Sequence, residues 1–228
     1  MTPFRAVVFD LDGTLFDHHG ASRAAVDSFV AAQGVDPTDE IREAWFSAER
    51  QQFEEFRAGR ITFAEQRRRR LRQALPSLGR AVPADDDALD ELFGHYVRAY
   101  RRAWRAFPDS WPVLEALRRA GLPIGILTNG NEDQQLDKLE SLGLAALVDV
   151  VCTSERLGVA KPDARAFHAV AAELCVRPTD CLFVGDDPEH DIAGATAAGM
   201  IALQVAPGRP GGQGLQAVLD LVYRASPV

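Results

Sequence analysis

The sequence predicts an α/β fold whose doubly wound parallel sheet is interrupted, close to its start, by an all-helical insertion. Beyond residue 107, short apolar runs rich in β-branched residues alternate with longer segments of helical periodicity. Strands that alternate with helices in this way form right-handed βαβ units, which build parallel sheets. Between residues 17 and 106, by contrast, apolar residues recur at helical spacing and no strand-like run occurs.

The first element is the apolar run Ala6–Phe9, which ends directly at Asp10. A short β-branched run of this kind is typical of a buried strand in a parallel sheet. Four helices are predicted after it. The start of the third helix has the most specific sequence signal, because Thr62 and Glu65 form a capping box. These helices cover about residues 22–33, 38–57, the segment from 62 onward, and 86–104.

The remaining elements alternate between helix and strand. Helices are predicted at 111–120, 132–142, 163–175, 187–198 and 215–223, and strands at 123–127, 148–152, 181–184 and 201–205. We therefore expect residues 1–16 and 107–228 to form one α/β core domain. Residues 17–106 are expected to form a helical domain that is inserted into it.

Composition and charge exclude several classes of function. A formal net charge of −8 repels phosphate backbones, so nucleic acid is not the expected partner. No apolar run approaches the ~18 residues that a membrane span needs, and no export signal is evident. Three cysteines that lie among apolar residues are expected to be reduced and buried. These features predict a soluble cytoplasmic protein, which we expect to be a monomer or a homodimer.

The residues at the carboxyl ends of the predicted strands carry the candidate chemistry. In an open parallel sheet, ligands bind just outside these strand ends. The first strand end supplies Asp10, Asp12, Gly13 and Thr14, the second Thr128, Asn129 and Gly130, a later one Lys161, and the fourth Asp186, Asp187 and Asp191.

These residue types fit phosphoryl transfer. Asp10, Asp12 and Asp186 together could hold a hard divalent cation, because Mg²⁺ prefers oxygen ligands and converging carboxylates repel one another without a cation. Lys161 and the hydroxyl and N–H groups of Thr128–Gly130 would form an anion site opposite the metal. An anion site beside a metal held by carboxylates points to the transfer of a phosphoryl group.

Lysine usage singles out Lys161. Of the 25 basic residues, only Lys138 and Lys161 are lysines, so the sequence uses arginine wherever a generic positive charge suffices. Arginine does not replace lysine where a compact point charge is required. A single aspartate at a strand end is more often a helix cap, and Thr128–Gly130 alone could be a turn. The order and placement of all four strand ends together favour a functional site.

Four motifs in order make the sequence resemble the haloacid dehalogenase-like (HAD) hydrolase superfamily. Residues 9–15 match its DxDGT[LV] signature, and Thr128-Asn129 and Lys161-Pro162 follow at the expected places. Residues 185–191 fit the GDxxxxD form. The resemblance implies a Rossmann-like core with a helical cap between the first and second motifs.

The resemblance also implies roles for the strand-end residues. Asp10 would be the nucleophile that accepts the phosphoryl group, and Asp12 would protonate the leaving oxygen and then activate water. Thr128, with Asn129 and Gly130 beside it, would hold the phosphoryl oxygens. Lys161 would offset the charge on the nucleophile and on the transferring group.

The remaining implied roles concern Mg²⁺. Asp10, Asp186 and the backbone carbonyl of Asp12 would bind it directly. Asp191 would act through water or by orienting its neighbours. Asp187 has two alternative roles, in the second shell of the metal or as the N-cap of the following helix.

The predicted function is therefore Mg²⁺-dependent hydrolysis of a small soluble phosphate ester, either a nucleotide or a sugar phosphate, through an aspartyl-phosphate. A phosphosugar mutase of the same fold is the alternative. A phosphoaspartate signalling module is disfavoured by the helical cap and by Asp12, which would hydrolyse a phosphoaspartate quickly. A 2-haloacid dehalogenase is disfavoured because the dehalogenases of this superfamily lack an acid at the position of Asp12.

The sequence assigns no definite function to two groups of residues in and near the insertion. Arg67–Arg70 point around a helix and are expected to form a solvated face. His18 and His19 follow the first motif, where they could line the entrance or be exposed hinge residues.

Overall fold

The computed structural model describes residues 4–208 and 211–224, and within it the chain divides into two compact units. Unit 1 comprises Met1–His18 and Arg105–Val228, and unit 2 comprises His19–Trp104. The expected core domain included residues 1–3, 209, 210 and 225–228, which lie outside the described residues.

A parallel sheet forms the centre of unit 1. Across the described residues it has five strands: β1 Ala6–Phe9, β2 Ile124–Thr128, β3 Val150–Thr153, β4 Cys181–Gly185 and β5 Ile201–Gln204. Their order is β3-β2-β1-β4-β5, and all neighbouring pairs are parallel. The chain thus winds outward in both directions from β1, which confirms the predicted doubly wound sheet. Every residue of β1 is buried, as expected for the central strand.

Ten α-helices are described, and four of them account for most of the helical insertion. These four are α1 His18–Ala32, α2 Asp39–Arg57, α3 Phe63–Ser77 and α4 Asp86–Arg102. The others are α5 Ser110–Arg119, α6 Glu132–Ser141, α7 Ser154–Leu157, α8 Ala164–Glu173, α9 Gly194–Ala197 and α10 Gln216–Arg224. Short 3₁₀ turns occur at Ala145–Leu147 and Pro178–Asp180, and a π-helical turn occurs at Pro188–Ala193.

Side-chain caps fix the starts of three helices in unit 2. Thr38, Thr62 and Asp85 each accept a hydrogen bond from the backbone N–H three residues later. The Thr62 hydroxyl accepts from Glu65 N at 3.1 Å, which is the cap that the sequence pattern predicted. By contrast, α1 begins at His18, four residues before the predicted start.

An aromatic cluster fills the interior of unit 2. Trp45 lies 5.1 Å from the Phe29 ring, 4.8 Å from Tyr96 and 6.3 Å from Phe93. Tilted and offset rings at these separations attract one another in addition to burying apolar area. The cluster therefore connects α1, α2 and α4.

The predicted solvated face at Arg67–Arg70 is wrong for Arg70. Its guanidinium lies 5.2–5.4 Å from the ring centroids of Trp45, Phe93 and Tyr96 and pairs with Glu49 at 2.8 Å. Aromatic faces and a carboxylate together compensate the burial of the charge.

Arg68 and Arg69 do fit the solvated interpretation. Arg68 pairs with Asp86 and Asp90, and the exposed Arg69 pairs with Glu65, all on the outer surface of the helices. The guanidinium of Arg67 lies 4.2 Å from the ring centroid of Phe63, and burial lowers its pKa to about 10.

Two further differences concern local structure. The predicted helix 187–198 is divided into the π-helical turn Pro188–Ala193 and α9, and α7 was not predicted. Cys152 and Cys181 are buried as expected, whereas Cys175, which follows α8 and has a positive φ of 57°, is exposed. Among the described residues, no helix is both long and apolar enough to cross a membrane.

We expect Asp85→Ala to lower the free energy of unfolding by about 1 kcal/mol, because Ala88 N–H at the start of α4 then loses its acceptor. For a chain of this size the corresponding fall in Tm is about 2–4 °C. Asp85→Asn keeps an acceptor oxygen and serves as the control in thermal unfolding. Equal losses in both variants would contradict the capping role.

Candidate active site

The turn after β1 brings two aspartates and a threonine to the carboxyl edge of the sheet. Asp10 continues the strand by donating its N–H to Val184 O at 2.9 Å. Gly13 then adopts a φ of +92°, a conformation that side chains rarely permit. A Cβ at Gly13 would lie only 2.6 Å from Asp186 Oδ2, so this position allows no side chain while Asp186 stays in place.

Lys161 holds two carboxylates together in the interior of unit 1. Its Nζ donates to Asp10 Oδ1 and to Asp191 Oδ1, each at 2.6 Å, and all three side chains are buried. Although burial opposes the charged form, the two carboxylates raise the pKa of Lys161 above its ordinary value. Lys161 is therefore a cation in this cluster.

Asn129 fixes the backbone of Lys161. Its Oδ1 accepts from Lys161 N at 2.8 Å, and its Nδ2 donates to Lys161 O at 2.9 Å. The amide side chain thus satisfies both backbone groups of the residue that carries the ammonium.

A group of three carboxylates could hold a metal ion. Among the described residues, Asp10, Asp186 and Asp191 offer oxygen atoms that all lie within 4.8 Å of one another. Burial raises the pKa of Asp10 well above its ordinary value, and Asp191 and Asp186 add to this effect, although Lys161 opposes it. The carboxylates therefore repel one another in the absence of further positive charge.

The charges and donor atoms of this edge fit one divalent cation. Asp10 Oδ2 is buried and has no hydrogen-bond partner among the described residues, which leaves a ligand atom available. The carboxylates of Asp10, Asp186 and Asp191 share one oxygen cluster, and the Lys161 ammonium pairs with those of Asp10 and Asp191. An all-oxygen donor set of this kind suits Mg²⁺.

Asp12 does not belong to that group of three through its carboxylate. Its Oδ1 accepts from Lys138 Nζ at 2.5 Å, and its Oδ2 accepts from Gln135 Nε2 at 3.0 Å. Although burial acts in the opposite direction, Lys138, His18 and Gln135 lower the pKa of Asp12. In this structure the Asp12 carboxylate is engaged by Lys138 and Gln135, and ligation of a metal by the backbone carbonyl of Asp12 stays a prediction.

The second strand end is arranged around Thr128. The Thr128 hydroxyl accepts from Gln135 Nε2 at 2.8 Å, so its own proton is free to point elsewhere. The Gly130 N–H donates to Ser154 Oγ at 3.0 Å, and a Cβ at Gly130 would lie 2.8 Å from Gln135 Nε2.

The contacts at this strand end revise the predicted phosphate site. The side chain of Asn129 and the N–H of Gly130 are already engaged by structural hydrogen bonds. Of the predicted group, the Thr128 hydroxyl, the backbone N–H of Asn129 and the ammonium of Lys161 remain candidates for contacts with an anion.

Asp187 caps the π-helical turn, which is one of the two alternatives left by the sequence. Its Oδ1 accepts from Glu189 N and His190 N, both at 2.8 Å, and its Oδ2 lies 3.1 Å from His190 Nδ1. Two backbone N–H groups of the turn thus occupy Oδ1, and the His190 ring lies against Oδ2.

Asp191 makes more contacts within the candidate site than the sequence indicated. Beyond its contact with Lys161, its Oδ2 accepts from Asp187 N at 3.1 Å. A side chain at Gly185 would overlap Asp191, which explains the glycine at the end of β4. The π-helical turn that presents Asp191 is a feature often found at functional sites.

Sequence reasoning missed Lys138 and Gln135. Both are buried, both contact Asp12, and they lie three residues apart on one face of α6. The signal was available, because Lys138 is the second of only two lysines in the chain.

The two histidines after the first motif differ in environment. His18 is half-buried, its ring lies 6.3 Å from that of Phe16, and its charge contributes to the lowered pKa of Asp12. His19 is exposed.

Comparison with known proteins points to one family. A family model described as haloacid dehalogenase-like hydrolase matches residues 4–199. A ribulose-1,5-bisphosphate 5-phosphatase from Halopiger xanaduensis is 36% identical over 198 residues, which cover 86% of this chain and 82% of that protein. A phosphoglycolate phosphatase from Salmonella paratyphi A is 33% identical over 200 residues, which cover 86% of this chain and 78% of that one.

A solved structure shares the fold. The HAD-hydrolase YfnB from Bacillus subtilis, bound to magnesium, matches with a TM-score of 0.78 and covers 91% of both chains. At 22% identity, this likeness concerns the fold alone.

We expect Gly13→Ala to destabilise the protein more than Gly121→Ala. Both glycines have a positive φ, but a Cβ at Gly121 meets nothing within 4 Å, whereas one at Gly13 collides with Asp186. Backbone strain alone costs about 1 kcal/mol in either variant. Thermal unfolding and Mg²⁺ titration by calorimetry measure the difference. Equal Tm values and equal Mg²⁺ binding would contradict the packing described here.

Proposed function

Because this chain belongs to the haloacid dehalogenase-like hydrolase family and is a phosphoric monoester hydrolase, we propose that it hydrolyses a small phosphate ester with Mg²⁺ through an aspartyl-phosphate. The observation that carries this proposal is the buried cluster in which Lys161 bridges Asp10 and Asp191 beside Asp186. Such a cluster supplies a nucleophile, fixed positive charge and oxygen ligands at one point.

The proposed metal ligands are the carboxylates of Asp10 and Asp186 and the backbone carbonyl of Asp12. Asp191 would orient Lys161, to which it is already bonded. When bound, Mg²⁺ would neutralise charge on the phosphoryl oxygens and on the carboxylates around them.

In the first step, a carboxylate oxygen of Asp10 forms a bond to phosphorus while the bond from phosphorus to the ester oxygen breaks. Lys161 is bonded to Asp10 Oδ1 and holds the carboxylate in place. Thr128 would donate its hydroxyl proton to a phosphoryl oxygen, since Gln135 already occupies an acceptor site on that hydroxyl.

Asp12 would transfer the protons in both steps. Asp12 must enter the first step protonated, with a proton taken from solvent on its exposed side, and it gives that proton to the leaving ester oxygen, which departs as an alcohol. It then takes a proton from water, and the resulting hydroxide attacks phosphorus, which releases inorganic phosphate and restores the Asp10 carboxylate. The side chain of Asp12 is 26% exposed, which leaves it in contact with solvent.

The presence of Asp12 favours hydrolysis of a phosphate ester over the alternatives. Attack on a carbon–halogen bond needs no proton donor for the departing halide. A phosphoaspartate signalling module needs a long-lived phosphoaspartate, which a base at this position would shorten. A mutase would return the phosphoryl group to a sugar, and phosphate release distinguishes it from a phosphatase.

The substrate class and setting are part of the proposal. Relatives named for ribulose 1,5-bisphosphate and phosphoglycolate support a small phosphorylated metabolite. We infer that unit 2, His19–Trp104, serves as the cap, because it has its own helical core between the first and second motifs. We further propose that the enzyme acts in the cytoplasm.

Phosphate release from a panel of esters tests the activity and its cation requirement. The panel contains nucleoside monophosphates, sugar mono- and bisphosphates and phosphoglycolate, each with Mg²⁺ and with EDTA. We expect release from one class, and EDTA should abolish it because the carboxylates would again repel each other and the phosphoryl oxygens. Equal release with EDTA would refute the metal requirement, and release from no ester would refute the proposed function.

We expect Asp10→Asn to lower phosphate release by roughly 10³-fold or more, because an amide is a poor nucleophile of the same volume. Asp180→Asn makes the same chemical change at the opposite end of β4, where Asp180 pairs with Arg177, and serves as the control. Substantial activity of folded Asp10→Asn would exclude the covalent route.

A further inference from the structure

One face of α6 presents an amide and an ammonium group to Asp12. Gln135 and Lys138 are 2% and 1% exposed, and between them they donate to both oxygens of the Asp12 carboxylate. The two donors come from a single helix, whereas the carboxylate comes from the turn after β1. The contact therefore fixes the rotamer of Asp12 from outside its own loop.

The hydrogen bonds of Gln135 determine the orientation of its amide. An ionised carboxylate only accepts hydrogen bonds, so the NH₂ group of Gln135 must face Asp12 Oδ2. The same nitrogen donates to Thr128 Oγ1 at 2.8 Å. One amide thereby connects the proposed acid–base residue with the proposed phosphate-binding hydroxyl, and the close approach of Gly130 leaves it little space to rotate.

Burial of the charged Lys138 side chain costs free energy, and packing alone does not explain why a lysine stands at this position. Lysine is almost never fully buried unless it is paired, and a buried pair is often replaceable by apolar residues without loss of stability. The ammonium lies 2.5 Å from Asp12 Oδ1 and 4.9 Å from the centroid of the Phe16 ring. An apolar side chain could pack against Phe16, so the charge points to a role at Asp12.

We propose that Lys138 and Gln135 are positioning residues that hold the Asp12 carboxylate where it can transfer protons in both steps, an inference that rests on the proposed phosphatase function. Each carboxylate oxygen accepts more than one hydrogen bond, so these two donors leave sites on the open side for the leaving oxygen and for water. Positioning errors of about 1 Å can slow such steps by 10²-fold.

Leaving groups of different acidity separate this role from a structural one. p-Nitrophenyl phosphate releases a stable phenolate that needs no proton, whereas an alkyl ester needs a proton on its leaving oxygen. Water must be deprotonated in the second step with either ester. Loss of Asp12 positioning therefore slows the first step only with the alkyl ester and slows the second step with both.

We expect Lys138→Met to lower kcat for the alkyl ester of the panel on the order of 10- to 100-fold. With p-nitrophenyl phosphate, a burst of nitrophenolate approaching one equivalent per enzyme should precede a slower steady rate, because the aspartyl-phosphate accumulates. Glu140→Gln changes an exposed residue of the same helix and should match wild type with both esters. Equal losses on both esters without a burst, or no loss, would overturn the proposal.

A double mutant tests whether Lys138 acts through Asp12. If it does, Asp12→Asn/Lys138→Met should be no slower than Asp12→Asn alone, since the positioned group is already lost. Multiplicative losses would show an independent role and overturn the proposal. Thermal unfolding and circular dichroism establish that each variant is folded. If Lys138→Met does not fold, Gln135→Leu, which removes the bonds of the amide without changing charge, carries the same leaving-group test.

Assays of the wild-type enzyme distinguish failure of the proposed function from failure of the positioning role. If wild type releases phosphate from neither ester, the proposed function is refuted. If wild type is active and the variants show neither a dependence on the leaving group nor a burst with p-nitrophenyl phosphate, only the positioning role of Lys138 and Gln135 is refuted.

Discussion

The ion pairs of the buried Lys161 ammonium with Asp10 and Asp191 are the interaction on which the candidate site depends. Removing such charges from water costs several kcal/mol per ion unless they are paired in good geometry. The surroundings meet this requirement: Asn129 fixes the backbone of Lys161, and Gly185 leaves space for Asp191. Asp10 and Asp191 in turn share one oxygen cluster with Asp186. Three carboxylates that offer oxygen atoms at one point make this cluster a candidate cation site.

A second lysine–aspartate pair lies next to the first. Lys138 is bonded to Asp12 as Lys161 is bonded to Asp10, so each of the two lysines of the chain contacts one of the two aspartates that follow β1. The two pairs differ in exposure, because Asp10 is buried whereas the Asp12 side chain stays 26% exposed. A buried nucleophile beside a partly open proton carrier is the arrangement that a two-step transfer through a carboxylate requires.

Much of the fold and part of the site could be predicted from local patterns. Alternating strands and helices predicted the doubly wound sheet, and Thr62 with Glu65 predicted the N-cap residue of α3 correctly. The π-helical turn at Pro188–Ala193 could not be predicted, because its extra residue per turn leaves no periodic signature in so short a segment. The burial of Arg70 depends on rings from two other helices, so four consecutive arginines gave no sign of it.

The sequence by itself determined which residues stand at the strand ends, because a parallel sheet brings all carboxyl ends of its strands to one edge. It also determined, through its sparing use of lysine, that Lys161 differs from a generic cation. Only the tertiary structure decided which partner each side chain takes. Lys138 meets Asp12 across 126 residues, and Lys161 meets Asp10 across 151. Local periodicity carries no information on such distant pairs, because they form only once the sheet has set the spacing between α6 and the loop after β1.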